Sequence, residues 1–159
     1  MPLALIVHGG AWNIPQDEWD ANTRGVERAA AAGWQVLREG GRALDAVEAA
    51  IVVMEDDAIF DAGIGSVLNR DGNVELDAGL MEGMSLEAGA CAAVTGVKNP
   101  IRLARKILGS ENTFMVGRGA ERSAILQVRI GGGVAGAYAS ARVPWRKHPF
   151  RYHPALQDW

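Results

Sequence analysis

The sequence predicts an α+β fold in which helices pack on a sheet that contains a hairpin. Three observations carry this: apolar residues recur at helical spacing in three stretches, short apolar or β-branched runs stand between them, and Asp71-Gly72 lies between two such runs. The first element, residues 3–7, is an apolar run bounded by Pro2 and by His8-Gly9-Gly10, which suits a buried strand entering a glycine turn. Val26, Ala29, Ala30, Gly33, Trp34 and Leu37 then follow the three-and-four spacing of a helix, starting near Asn22 or Thr23 and stopping at Gly40-Gly41. A second helix is predicted over 43–55, with Val47, Ala50, Ile51 and Met54 on one face and Asp45 and Glu48 near its positive end.

Residues 56–66 have neither period, and Gly63 and Gly65 make them a structured loop. Residues 66–69 and 74–78 are predicted to form a hairpin around Asp71-Gly72, and 88–97, small and β-branched, a strand buried on both faces. Asn99-Pro100 caps and opens a helix through Leu108, and 113–116 is a final strand. After Arg122 no period is sustained, so the chain divides into residues 1–122 and a divergent tail, 123–159, with little regular structure.

The two parts differ in charge. The chain of 159 residues carries a formal −3, yet from Ser123 onward five basic residues face one acid, whereas the first 122 hold eleven basic against eighteen acidic. This balance gives no electrostatic reason to expect nucleic acid. No apolar run reaches the ~18 residues of a membrane helix, and the start lacks a basic n-region. The single cysteine, Cys91, excludes an internal disulfide, and the expected setting is the cytoplasm.

Candidate chemistry is sparse. His8, His148 and His153 are scattered and no second cysteine joins Cys91, so side-chain zinc ligation is not expected, and Cys91 among small apolar residues reads as core. His8 ends a strand beside two glycines, either reaching a site or bonding its own turn. Asp56, Asp57, Asp61 and Asp77 offer acid–base chemistry or solvated loop caps. Residues 131–136 match a dinucleotide fingerprint after an apolar run, 124–130, that suits a strand. Only 23 residues follow, with one acid, so the remainder of a nucleotide-binding unit is missing and no nucleotide cofactor is expected.

Eight segments in register carry a resemblance: Ile6-Val7-His8-Gly9-Gly10-Ala11, Ala43-Leu44-Asp45-Ala46-Val47, Met54-Glu55-Asp56-Asp57, Phe60-Asp61-Ala62-Gly63-Ile64-Gly65-Ser66, Val74-Glu75-Leu76-Asp77-Ala78, Met81-Glu82-Gly83, Ala88-Gly89-Ala90 and Asn99-Pro100-Ile101. Together they resemble the N-terminal half of the plant-type L-asparaginase and isoaspartyl aminopeptidase family, which are N-terminal-nucleophile hydrolases. The resemblance implies half of a four-layer αββα sandwich, made from a precursor that cuts itself into α and β subunits and assembles as an (αβ)2 dimer. It implies hydrolysis of the asparagine side-chain amide, or of β-aspartyl peptides, by the threonine that opens the β subunit, with no cofactor for the chemistry.

The three threonines here, Thr23, Thr95 and Thr113, are none of them followed by Val-Gly. No catalytic residue is therefore expected in this chain, which alone should be inactive, with a matching β subunit as its expected partner. The resemblance also implies a structural sodium ion held by the main-chain carbonyls of Met54, Glu55, Asp57, Phe60, Ala62 and Ile64, and it brings Gly9, Gly10 and Asp61 close to the active site. The tail departs from the family pattern, and an out-of-frame terminus is the expected explanation. The alternative is a non-catalytic, truncated interaction protein, whose sheet edge and apolar face bind another chain or its own copy.

Overall fold

A computed structural model of the chain describes residues 2–130, and for 124–130 the backbone alone. Helix α1 spans Trp19–Arg38 and α2 spans Ala43–Glu55; strands β1, Leu76–Met81, and β2, Ala88–Val94, precede α3, Pro100–Leu108, after which come β3, Phe114–Val116, and α4, Gly117–Ile130. Short 3-10 turns occupy Gln16–Glu18 and Gly63–Gly65. The α+β expectation holds.

Helices α1 and α2 form a hairpin because their facing residues are small. Gly25, Ala29 and Gly33 of α1 and Ala46 and Ala50 of α2 are buried, and a Cβ on Gly33 would stand 2.8 Å from the Ala46 carbonyl and 2.9 Å from Leu5 Cδ2. The helices thus meet almost backbone to backbone, an approach a larger residue would prevent. Gly40 turns the chain with φ +83, and Asp45 Oδ2 accepts the Arg42 N–H at 3.3 Å to start α2.

The sheet has the order β1-β2-β3, antiparallel between β1 and β2 and parallel between β2 and β3. Helix α3 covers one face. Ile101, Ala104, Leu44 and Leu80 make one buried cluster, and Leu76, Cys91, Val94, Val97, Leu103, Ile107 and Ala120 make the other. A Cβ on Gly89 would lie 2.3 Å from the Ala104 carbonyl oxygen, so α3 rests directly on the backbone of β2.

Several expectations are corrected. Residues 3–7 make no strand, because no neighbour among the described residues supplies a ladder, and Ile6 is 94% exposed. The Asp71-Gly72 turn forms, with Gly72 N–H donating to the Asn69 carbonyl at 3.0 Å and Asn69 Oδ1 accepting from Asp71 and Asn73, but it closes no hairpin ladder. The Val67 N–H that would have begun one is taken by Asp61 Oδ1 at 2.9 Å. The hairpin joins β1 and β2 instead, through a turn in which Glu82 N–H donates to the Glu87 carbonyl at 2.9 Å.

Strand β2 stops at Val94 rather than 97, since Ala93 is left-handed (φ +52) and the N–H groups of Ala93 and Thr95 go to the carboxylates of Asp77 and Glu121 at 2.7 and 2.8 Å. Its second face, Ala88, Ala90 and Ala92, is only half-buried rather than buried. Residues 124–130, read as a strand, continue helix α4, so the boundary expected at Arg122 falls inside a helix. The fingerprint at 131–136 and the rest of the tail lie outside the described residues.

Leu86, in the β1–β2 turn, has φ +60 and a side chain 67% exposed. A left-handed leucine costs about 1–2 kcal/mol, and its solvated side chain returns little of it. Leu86→Gly is expected to stabilise the chain by ~1 kcal/mol in urea unfolding; a loss of stability would show that Leu86 makes a contact in solution that outweighs the strain.

Candidate functional site

The candidate site is built where the residue 8–10 turn, helix α1 and the loop after α2 meet. His8 Nδ1 accepts the Gly10 N–H at 3.1 Å, so the histidine serves its own turn, while Gly10 takes φ +104, open to glycine and closed to most other residues. Phe60 is 3% exposed and fills the junction. A Cβ on Gly9 would stand 2.9 Å from its Cε1, and one on Gly25 would stand 2.6 Å from its Cζ, so the ring is clasped between two glycines. This ring brings the Gly9-Gly10 turn against the loop at 54–65.

Two further glycines shape that loop. At Gly63 (φ +54) a Cβ would fall 2.2 Å from the Glu55 carbonyl oxygen, and at Gly65 one would fall 2.1 Å from that of Phe60. The Glu55 and Phe60 carbonyls thus stand against glycine backbone that leaves no room for a side chain in this loop. Within it Asp57 N–H donates to the Met54 carbonyl at 3.2 Å, Phe60 N–H to that of Asp57 at 3.2 Å, and Gly65 N–H to that of Ala62 at 3.1 Å. Each accepting oxygen keeps a second lone pair. Ile64 lies in the 3-10 turn Gly63–Gly65. Among the described residues no three His, Cys, Asp or Glu side chains stand together as a metal site.

The four candidate carboxylates are dispersed. Asp57 pairs with Arg28 of α1 and caps the Ile59 N–H at 3.2 Å; Asp77 is spent on Ala93; Asp61 braces Val67, next to the Phe60 clasp. Asp56 accepts from Lys98 Nζ at 2.8 Å and Asn99 Nδ2 at 3.1 Å. Burial raises its pKa, but those hydrogen bonds and the charges of Lys98 and Arg102 outweigh it and hold the carboxyl below its ordinary value. Cys91 is buried as expected, its Sγ 3.6 Å from the Pro100 carbonyl; burial pushes the thiol up to about 11, which suits core and not nucleophile.

The sequence reading missed the Glu55 side chain. It ends α2 yet is 2% exposed, and its Oε1 accepts the Ile101 N–H at 3.0 Å, a bond expected of Asn99, whose side chain makes no cap. A carboxylate from one helix therefore satisfies an orphan donor at the start of another, 46 residues on. One signal was available: Glu55 falls four residues after Ile51, on the apolar stripe.

Burial, against hydrogen bonds from Ile101 and Asn99, raises Glu55 to about 7. Between 4.5, its usual value, and about 7 the folded chain holds a proton that the unfolded chain has lost, so stability falls as pH rises through that window. The lowered carboxyls, Asp56, Glu82 and Glu121, act at lower pH and in the opposite sense. Thermal melts across the window should show the decline, and Glu55→Gln should flatten it; an unchanged slope would refute the assignment.

Comparison with known sequences bears on this loop and turn together. The sequence model of the Asparaginase family matches residues 1–128. The chain belongs to the asparaginase family. Among its asparaginase relatives, the plant-type L-asparaginase of Pyrococcus horikoshii is 52% identical over 126 residues, which are 78% of this chain and 41% of that protein. The isoaspartyl peptidase/L-asparaginase of Bos taurus is 46% identical over 124 residues, 77% of this chain and 40% of that protein. This asparaginase-family chain thus spans about 40% of the length of the curated relatives it matches. Among its described residues no helix is long and apolar enough to cross a membrane.

Proposed function

We propose that this chain is the α-subunit-like part of an isoaspartyl peptidase/L-asparaginase that hydrolyses the side-chain amide of asparagine or β-aspartyl peptides. The observation that carries the reading is the family match over residues 1–128 together with relatives of that printed activity. The nucleophile is a threonine that opens a β subunit: its hydroxyl attacks the amide carbonyl as its α-amine takes the proton, the C–N bond breaks and ammonia or the peptide's amine leaves with that proton, and water then hydrolyses the acyl ester to free the acid and the threonine. This chain supplies a helix-backed sheet as one half of an αββα sandwich and, through Phe60, fixes the glycine turn beside the active site. The assembly is (αβ)2, in the cytoplasm.

The loop after α2 suits a hard cation. Main-chain carbonyls of Met54, Glu55, Asp57, Phe60, Ala62 and Ile64 would hold sodium, and the close approach of Gly63 and Gly65 to the Glu55 and Phe60 oxygens supports a ring that admits no side chain. The ion would stiffen the loop and takes no part in the reaction.

Ammonia release from asparagine and cleavage of a β-aspartyl dipeptide test the reading. The purified chain alone is expected to be inactive. Co-expression with the C-terminal portion of the Pyrococcus horikoshii relative should give a stoichiometric complex and activity. Hydrolysis by the chain alone would overturn the first expectation, and absence of both complex and activity the second. The open apolar sheet face favours a second reading, a non-catalytic interaction protein, which a complex without hydrolysis would support.

A further inference from the structure

Isomerisation of an aspartate is favoured where three conditions meet: a carboxyl with no other partner, a following residue with no Cβ to shield its nitrogen, and backbone outside a helix or ladder. Among the described residues they meet at Asp71-Gly72. The sequence has a single Asp-Gly step and no Asn-Gly. Asp71 is exposed, in the turn between Asn69 and Asn73, and among the described residues its carboxylate takes part in no hydrogen bond or ion pair. Gly72 is exposed with φ +78, and nothing stands within 4 Å of where a Cβ would be. The other aspartates fail these conditions. Asp57, Asp61 and Asp77 are followed by alanine, and their carboxylates are held by Arg28, by the Val67 N–H and by the Ala93 N–H. Asp45 sits inside α2 and pairs with Arg105 Nη2 at 2.8 Å, Asp20 lies in α1, Asp17 lies in the 3-10 turn before Glu18, and Asp56 is held by Lys98 and Asn99.

One set of contacts opposes the step. The Gly72 nitrogen, which must attack, donates its hydrogen to the Asn69 carbonyl at 3.0 Å, and Asn69 Oδ1 holds the same turn by accepting the N–H groups of Asp71 and Asn73 at 3.0 and 2.9 Å. Asn69 is itself braced, its Nδ2 donating to Glu75 Oε2 at 2.9 Å. An exposed turn of a few hydrogen bonds opens locally while the core stays closed. The braces therefore slow the reaction without preventing it.

We propose that Asp71 is a site of spontaneous modification, isomerising to a β-aspartyl linkage at a rate set by the Asn69 turn. The Gly72 nitrogen bonds to Asp71 Cγ as the hydroxyl of the protonated carboxyl and the amide hydrogen leave as water, closing a cyclic imide. Water then adds at the Asp71 main-chain carbonyl, whose bond to the Gly72 nitrogen breaks. The chain now runs through the side chain, longer by one carbon, with the α-carboxylate as a branch and the mass unchanged. The longer span misplaces the donors that Asn69 had held, and the turn that leads into β1 is released. The proposal is independent of the catalytic reading, since its reactants are this turn and water.

The test is to hold the full chain folded at neutral pH for weeks and to map its peptides with electron-transfer fragmentation, which tells the β- from the α-linkage at equal mass. Asp71 is expected to accumulate the β-linkage, preceded by a species one water lighter, while Asp57, Asp61 and Asp77 do not. Asp71→Glu, which would need a larger ring, should abolish the signal. Asn69→Ala should speed it by about two- to ten-fold, the factor that one net hydrogen bond controls. Should that variant lose its native circular dichroism, Glu75→Ala, which only frees the Asn69 side chain, should still speed the reaction. No β-linkage at Asp71, an equal yield at the aspartates that precede alanine, or a rate unchanged when the Asn69 braces are removed would overturn the proposal.

Discussion

Gly63→Ala is expected to cost about 2–5 kcal/mol, from left-handed strain and overpacking together. Gly63 has φ +54, so the alanine backbone is strained before any neighbour is considered. Its Cβ would then fall 2.2 Å from the Glu55 carbonyl oxygen and 2.7 Å from Glu55 Cβ, at the end of α2, where neither can retreat without breaking the helix or withdrawing the carboxylate from Ile101. Against a total stability of 5–15 kcal/mol typical of a domain, such a loss is a large share. Gly72→Ala is the control: Gly72 has φ +78 but nothing within 4 Å, so it isolates the conformational part at about 1–2 kcal/mol. Urea unfolding of the two variants should differ, and equal losses would mean that the Glu55 contact carries no weight.

Phe60→Ala should cost about 3–5 kcal/mol, the range for removing a buried aromatic ring. The ring lies between Gly9 of the turn and Gly25 of α1, where an added Cβ would stand 2.9 and 2.6 Å from it. Neither glycine has a side chain that could close the vacated space, so the cavity relaxes poorly and the upper half of the range is expected. Phe60→Leu should recover part of the loss. A cost under about 1 kcal/mol would mean that the junction collapses readily, against the behaviour of close-packed interiors.

Helices α2 and α3 were legible because their signals are local, whereas α4 was not, its 124–130 end suiting a strand in the sequence. Residues 43–55 and 100–108 match the pattern almost to the residue, since apolar spacing and the Asn99-Pro100 start act within one turn. The N-terminal run and the Asp71-Gly72 turn misled for a common reason: a strand exists only through its partner, and the Val67 N–H was claimed by a carboxylate six residues away. The turn that does close the hairpin, held by Glu82, carries no Asn-Gly or Asp-Gly signal. The glycines of the site were visible as motif, but the clasp of Gly9 and Gly25 on Phe60 joins positions far apart in the chain, which no local pattern encodes. Glu55 was aligned for its carbonyl, and its side chain acquired a role only once α3 was placed against α2.

The stretch before the glycine turn holds to α1 by Leu5 against Gly33 and has no ladder of its own. Its amide protons are therefore expected to trade with deuterium through local fraying, long before those of α3, whose release awaits disruption of the whole core.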